Sequence, residues 1–391
     1  MLPTHRRAPA PRPHAPVRRA LLALAPALLL AACGRGGGGQ VVFALAAPLE
    51  QDYGASTRRG AELAVREINA AGGIRGDSLR LELRDDGADK NKAIAIAAEL
   101  LRDPRVVALA GPVNSGTTMA SGPLYNGETD ELAGLTLPVL ATTATSPDVS
   151  RLGDWVFRVA SSDSANAVEL ARVARAAAPA VAVLYSNDDY GRGLAAAFRG
   201  ALLKDGGQVP EIDPYLEDTR DFTPYLKRIQ RRGVGMVFVA GLDGSAARII
   251  AQARGIGLAA RFIGGDGLEP LKSKGPAYEG TLVGLLYHRD ASDPARAFAE
   301  AYRRAYNAEA DPFAAAAYDA VKLLAAAAGA NGPTREGIQR YLRRLGQEGG
   351  PEPFVGATGT IRFDDNGDPL QKAFAVGSIQ NGTLQLTRAN R

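Results

Sequence analysis

Apolar residues recur along this chain in two rhythms. Val41 to Ala47 is a short apolar run, Leu79, Leu81 and Leu83 alternate up to Asp85-Asp86, and Val106 to Ala110 and Pro138 to Ala141 are again compact runs. Runs this short, closed by Gly, Pro or polar residues, predict strands of a buried parallel sheet. Between them the period lengthens. Ala61, Ala64, Val65 and Ile68 mark one face of a helix within Gly60 to Gly76, stopped at Gly72-Gly73, and Ala93 to Leu101 is the next helix. Leu49 to Thr57, with Asp52-Tyr53-Gly54, reads as a loop. The order β-α-β-α-β predicts a doubly wound α/β sheet.

The pattern then repeats. Val181 to Tyr185 is a strand, and Asp188-Asp189-Tyr190-Gly191 opens a helix. Met236 to Ala240 is a strand followed by a helix over Ser245 to Arg254, and Phe262-Ile263 runs into Gly264-Gly265-Asp266-Gly267. Thr281 to Tyr287 leads back toward the first half. Ala-rich helices over about 295–306, 313–328 and 334–345 come next, their alanine runs suited to close packing. The tail reads as strands around Asp-Asn-Gly and Asn-Gly turns. Trp155, beside Phe157, is expected in the core rather than at a site.

Two strand ends carry candidate chemistry. Gly111-Pro112 opens into Asn114, Ser115, Gly116, Thr117 and Thr118, and Ala141 opens into Thr142, Thr143, Ala144, Thr145 and Ser146. The C-terminal edge of an open α/β sheet is where ligands bind, and a helix N-terminus offers unpaired N–H groups to an anion such as a carboxylate. A single such tip is most simply an N-cap. Two neighbouring hydroxyl-rich tips point to a pocket.

Composition changes this picture only at the N-terminus. The chain has 391 residues, enough for about two domains. Its net charge of +4 rests on a leader: Arg6, Arg7, Arg12, Arg18 and Arg19 precede residue 33, and beyond residue 32 stand 41 basic against 42 acidic residues. Nucleic-acid binding therefore has no support in the charge. Ala20 to Leu30 is apolar but too short for a permanent bilayer span, and with the arginines before it reads as a secretory signal over residues 1–32. Leu30-Ala31-Ala32-Cys33 resembles a bacterial lipobox, which makes Cys33 the lipidation site and predicts attachment to a membrane. Residues 33–39, which include Gly34 to Gly39, form a flexible tether. They follow no strand, so they are not a dinucleotide loop. Cys33 is the one cysteine, and only His288 lies beyond the leader. No disulfide, multi-His metal site or cofactor is expected, and no GxSxG partners that histidine.

Together, GAELAVREINAAGGIRG, LRLELRDD, VVALAGPVNSGTT and ATTATSP resemble the branched-chain amino acid binding family of periplasmic solute receptors. DWVFRVASSD, VAVLYSNDDYGRGLAAAF, DFTPYLKRI and FIGGDG follow in family order. The resemblance implies a type I periplasmic-binding fold, two α/β lobes joined by three crossing strands. Its implied boundaries are 40–158 plus 286–365 for one lobe and 159–285 plus 366–391 for the other. It puts Ser115 and Thr145 on a ligand α-carboxylate with N–H groups near Thr143, Asp266 on the ligand ammonium, and Tyr190 on the second wall. Tyr53 is a further wall candidate. Where the family often has an aromatic after the strand at 236–240, this chain has Leu242 and Asp243, so the ligand's side chain is left open.

The implied function is a lipid-anchored, monomeric receptor that binds an amino acid, branched-chain-like, or a small amide-like solute, and presents it to an ABC permease. The alternative is a lipoprotein of the same fold that senses a ligand or activates cell-wall synthesis. An enzyme of the Rossmann type is disfavoured, because no GxGxxG follows the first strand.

Overall fold

The computed structural model describes residues 38–127, 129–372 and 374–387. The signal segment, Cys33 and most of the tether lie outside them. The first sheet comprises β1 (Gln40–Ala47), β2 (Ser78–Asp85), β3 (Val106–Ala110), β4 (Val139–Ala141) and β5 (Val156–Arg158), all parallel, in the order β2-β1-β3-β4-β5. Helices α1 (Asp52–Ala70), α2 (Lys90–Arg102) and α3 (Ser115–Tyr125) connect the early strands. After α4 (Asp163–Ala177) a second sheet begins with β6 (Val181–Ser186), α5 (Asp189–Lys204), β7 (Ile212–Tyr215), α6 (Thr223–Arg231), β8 (Met236–Ala240), α7 (Asp243–Gly255), β9 (Arg261–Gly264) and β10 (Leu282–Leu285).

Its parallel part runs β7-β6-β8-β9-β10, the same winding order as the first sheet. Each sheet therefore has a switch point where the winding reverses, between β1 and β3 and between β6 and β8, and that is where a doubly wound sheet opens a crevice. Helices α8 (Asp293–Tyr306), α9 (Pro312–Asn331) and α10 (Arg335–Arg343) follow, then the hairpin β11 (Phe354–Gly356) and β12 (Gly359–Ile361). Strand β13 (Ala375–Gln380) pairs antiparallel with β10 and β14 (Thr383–Leu386) antiparallel with β13, the two joined at Asn381-Gly382 with both residues at positive φ.

The alanine runs have a packing reason. Ala314 to Ala317 are all buried, and a Cβ on Gly60 would meet the Ala314 carbonyl oxygen at 2.0 Å, so α1 and α9 touch backbone to backbone. Only small side chains allow that approach. Helix α9 is also long and apolar enough to cross a membrane, but most of it is buried in the core of the first lobe, against Phe43, Leu45 and Leu140.

Three expectations need correction. Tyr53 is in the first turn of α1, which starts at Asp52, and not in a loop. The second hydroxyl tip leads into a short 3-10 turn (Pro147–Arg151), so only the first tip, at α3, is an α-helix N-terminus. Trp155 is half-buried rather than a core residue.

Candidate functional site

The two switch points face one another across a cavity of ≈ 200 Å³. The first sheet supplies the ends of β1, β3 and β4. Helix α3 begins at Ser115, after Asn114, so its first N–H groups and its positive dipole end point at the cavity. The Ser115 hydroxyl accepts from the Ser146 N–H at 3.2 Å, and the Thr143 hydroxyl donates to the Val113 carbonyl at 3.1 Å. These bonds lock the two tips together. Ser115 and Thr143 both line the cavity, whereas Thr145 is fully buried behind the wall, its hydroxyl without a partner.

An aromatic corner completes this side. The Tyr53 ring lies 5.1 Å from that of Phe313 at the start of α9, and the Asn114 amide donates to the Tyr53 hydroxyl at 3.2 Å. Burial raises the Tyr53 pKa, so the hydroxyl stays neutral.

The second sheet supplies the ends of β6, β8 and β9. Tyr190, in the first turn of α5, donates from its hydroxyl to Asp266 Oδ1 at 3.1 Å and accepts from the Gly267 N–H at 3.2 Å. Asp266 follows β9, opens a 3-10 segment (Asp266–Ser273) and is only 7% exposed. Burial pushes its carboxyl above the ordinary carboxylate range, a shift held back by Tyr190 and by backbone N–H groups. Among the described residues it has no cationic partner within 4.0 Å, the range in which the lysines and arginines nearby are paired elsewhere. Leu242, at the end of β8, occupies the wall where the family often has an aromatic; Asp243 instead pairs with Lys274 at 2.7 Å.

The two sides already touch. Lys90 at the start of α2 pairs with Asp189 at the start of α5, 2.6 Å apart. A Cβ on Gly193 of α5 would sit 2.8 Å from Pro147 and 2.9 Å from the Ser146 hydroxyl, so that glycine lets the two rims close.

Of the residues expected from sequence, Ser115, Thr143, Tyr190, Asp266 and Tyr53 come together on one cavity, and Thr145 stands just behind it. Sequence reasoning missed Gln51, Lys90, Glu217 and Phe313. Asn114, named in the first tip, also lines the cavity. Lys90 and Glu217 carry no local signal.

A cavity between two sheets of identical winding, with neutral donors on one side and a buried carboxylate on the other, is a receptor geometry. A sequence profile described as periplasmic binding protein matches residues 41–383. The chain belongs to the periplasmic binding protein family. This is a family of extracytoplasmic binding proteins rather than enzymes. This periplasmic binding protein is 28% identical over 338 residues to the Leu/Ile/Val-binding protein homolog 1 of Brucella suis, which covers 84% of this chain and 87% of that one. It is 30% identical over 313 residues to an amino acid binding protein of Pseudomonas aeruginosa, covering 75% and 80%. A substrate-binding protein of an ABC transporter from Desulfitobacterium hafniense, solved in complex with Leu, superposes with a TM-score of 0.76 at 28% identity, covering 89% of this chain and 100% of that one.

Proposed function

We propose that this periplasmic binding protein is the solute receptor of an ABC importer and holds an α-amino acid of branched-chain type between its two lobes. One observation carries the reading. The α3 N-terminus with the Ser115 and Thr143 tips faces Asp266 across a single cavity, which is the charge pattern of a zwitterion turned inside out. A carboxylate gains the helix dipole and neutral donors, and an ammonium gains Asp266. Leu242, Phe313 and Tyr53 offer an apolar surface to the side chain. Thr145 adds its free hydroxyl to the carboxylate side when the lobes close, and Tyr190 orients Asp266.

The lobes comprise residues 40–158 plus 286–365 and 159–285 plus 366–391. Helix α9 packing on α1, and β13 pairing with β10, support that division. Closure brings contacts from both lobes onto one ligand, which is what a permease reads. Cys33 tethers the receptor to the membrane through a lipid, and the receptor acts as a monomer. The relatives that bear Leu/Ile/Val names and the leucine-bound structure at similar identity support the ligand class.

A thermal-shift panel of L-leucine, L-isoleucine, L-valine, L-glutamine and acetamide tests it, since a ligand that binds the native state raises the melting temperature. The branched-chain amino acids give the largest shifts. Asp266→Ala weakens L-leucine binding on the order of 30-fold or more in calorimetry. An affinity within twofold of wild type removes Asp266 from the site.

A further inference from the structure

Away from the ligand cavity, one lysine sits where the chain passes between its two sheets. The chain leaves the first sheet after β5, returns to it after β10 by way of α9, which packs on α1, and leaves it again between β12 and β13. Lys372 lies in the last of these passages and is half-buried, with its ammonium on the inner side. Nζ donates to the Val159 carbonyl at 2.6 Å, in the first passage, and to the Thr358 hydroxyl at 2.7 Å. Thr358, in the turn of the β11–β12 hairpin, donates in its turn to Asp319 Oδ2 at 2.6 Å.

Asp319 makes this a fixed point. It is 0% exposed in the middle of α9, and it also accepts from the Ala357 N–H at 2.8 Å and the Thr358 N–H at 2.7 Å. The hairpin is thereby fastened to α9, and the Thr358 hydroxyl relays the acid to Lys372. Burial lowers the Lys372 pKa to about 8, and the Asp319 charge holds it up. Holding a long, charged side chain inside costs both hydration and rotamer freedom. Here it joins a helix-bound hairpin to two passages that share no strand or helix. A small space of ≈ 10 Å³ remains beside it, lined by Val159, Ser161, Leu286 of the second passage, Ala316 and Thr143. Thr143 also lines the ligand cavity, so a single residue separates that cavity from the lysine. The first passage is bonded to the same tip: the Val159 N–H donates to the Ala141 carbonyl at 2.8 Å and the Ala160 N–H to the Thr142 carbonyl at 3.1 Å.

We propose that Lys372 is the pin of the hinge, clamping the first and last passages to the Asp319–Thr358 node so that the lobes swing about one axis while the Thr143 tip keeps its place. Lys372 touches no ligand and is a positioning residue, acting through Val159 on the tip that carries Thr143. Without the pin the passages bend independently, and the ligand-free protein spreads over many openings. Only a fraction of it is then ready to close, and the apparent affinity falls by that fraction. This rests on the reading that the two lobes close on a ligand.

Spin labels on two exposed positions, Glu300→Cys in α8 and Lys227→Cys in α6, read the distance between the lobes in the full chain carrying Cys33→Ser. With Lys372 in place the ligand-free distances form a narrow distribution. Lys372→Met broadens it, and L-leucine affinity in calorimetry falls by about tenfold. Thr358→Val is the milder variant, since it cuts the relay to Asp319 and leaves Lys372 its bond to Val159. It broadens the distribution as well, and combined with Lys372→Met it does no further harm, because both changes break the same contact. Wild-type width and affinity in both variants, with only the melting temperature lowered, make Lys372 part of the scaffold and overturn the proposal. Should Lys372→Met fail to fold, wild-type width and affinity in Thr358→Val overturn it alone. If leucine neither binds nor shortens the wild-type distance, the functional reading fails instead, and the ligand-free widths still decide on the pin.

Discussion

Arg158 and Asp163 lie close together in the chain and are both buried, but their surroundings are opposite. Arg158 is 0% exposed and uses every donor it has: Nε and Nη2 grip the two oxygens of Asp368 at 2.7 Å, Nη2 also reaches the Ser150 hydroxyl, and Nη1 donates to the Ala144 and Ser146 carbonyls. A guanidinium has five N–H donors, and all are matched here. Asp163 is 1% exposed and keeps one oxygen without a hydrogen-bond partner. The first cluster pins the second hydroxyl tip from behind and belongs to the scaffold. The second leaves one buried carboxylate oxygen unsatisfied. Two buried ionisable groups of similar depth thus differ in satisfaction: a complete network holds a shape, and an incomplete one leaves a polar atom without a partner.

The largest effect that tests this contrast is on the scaffold side. Asp368→Ala leaves the Arg158 guanidinium buried without its counter-charge and lowers stability by about 3–5 kcal/mol in chemical denaturation. A loss of under about 1 kcal/mol would erase the distinction between the two clusters. A middle-sized effect comes from the donor wall. Ser115→Ala removes a hydroxyl that holds the Ser146 N–H and faces the proposed carboxylate. A hydrogen bond to a charged group contributes about 1.5–3 kcal/mol, so L-leucine affinity falls by about tenfold or more. Affinity unchanged, with only the melting temperature lowered, would move Ser115 to the scaffold class. The smallest effect belongs to Lys90→Ala. Its pair with Asp189 spans the two lobes but is half in solvent, and such pairs contribute about 0–1 kcal/mol. Leucine affinity changes by less than about fivefold, and the difference shrinks further in high salt.

Much of the frame was readable from local pattern. The strands at 106–110 and 236–240 have the bounds expected of them, because each is a continuous apolar run ended by a glycine or a polar tip. The doubly wound class followed from the alternation of such runs with helical stripes. Helix α1 was placed too late: its first turn, Asp52 to Ala55, lacks the apolar stripe, and is helical because Gly54 packs against the Pro48 carbonyl and Tyr53 against Phe313. The second hydroxyl tip looked like the first, yet Pro147 and the Arg158 network hold it in a 3-10 turn.

The amino-acid order by itself determined the strands, the helices, the polar tips and the family resemblance, because each is set by neighbours within a turn or a strand. Only the tertiary structure decided which of those tips share a cavity and what charge state they adopt. Tyr190 and Asp266 stand 76 residues apart in the chain, and Lys90 and Asp189 stand 99 apart. Asp266 stands in a Gly-Asp-Gly sequence that gives no local sign of its burial. It became unusual only when folding removed most of the water from it and set Tyr190 against it, since the cost of a charge depends on the solvent and partners around it and on nothing in the adjacent sequence.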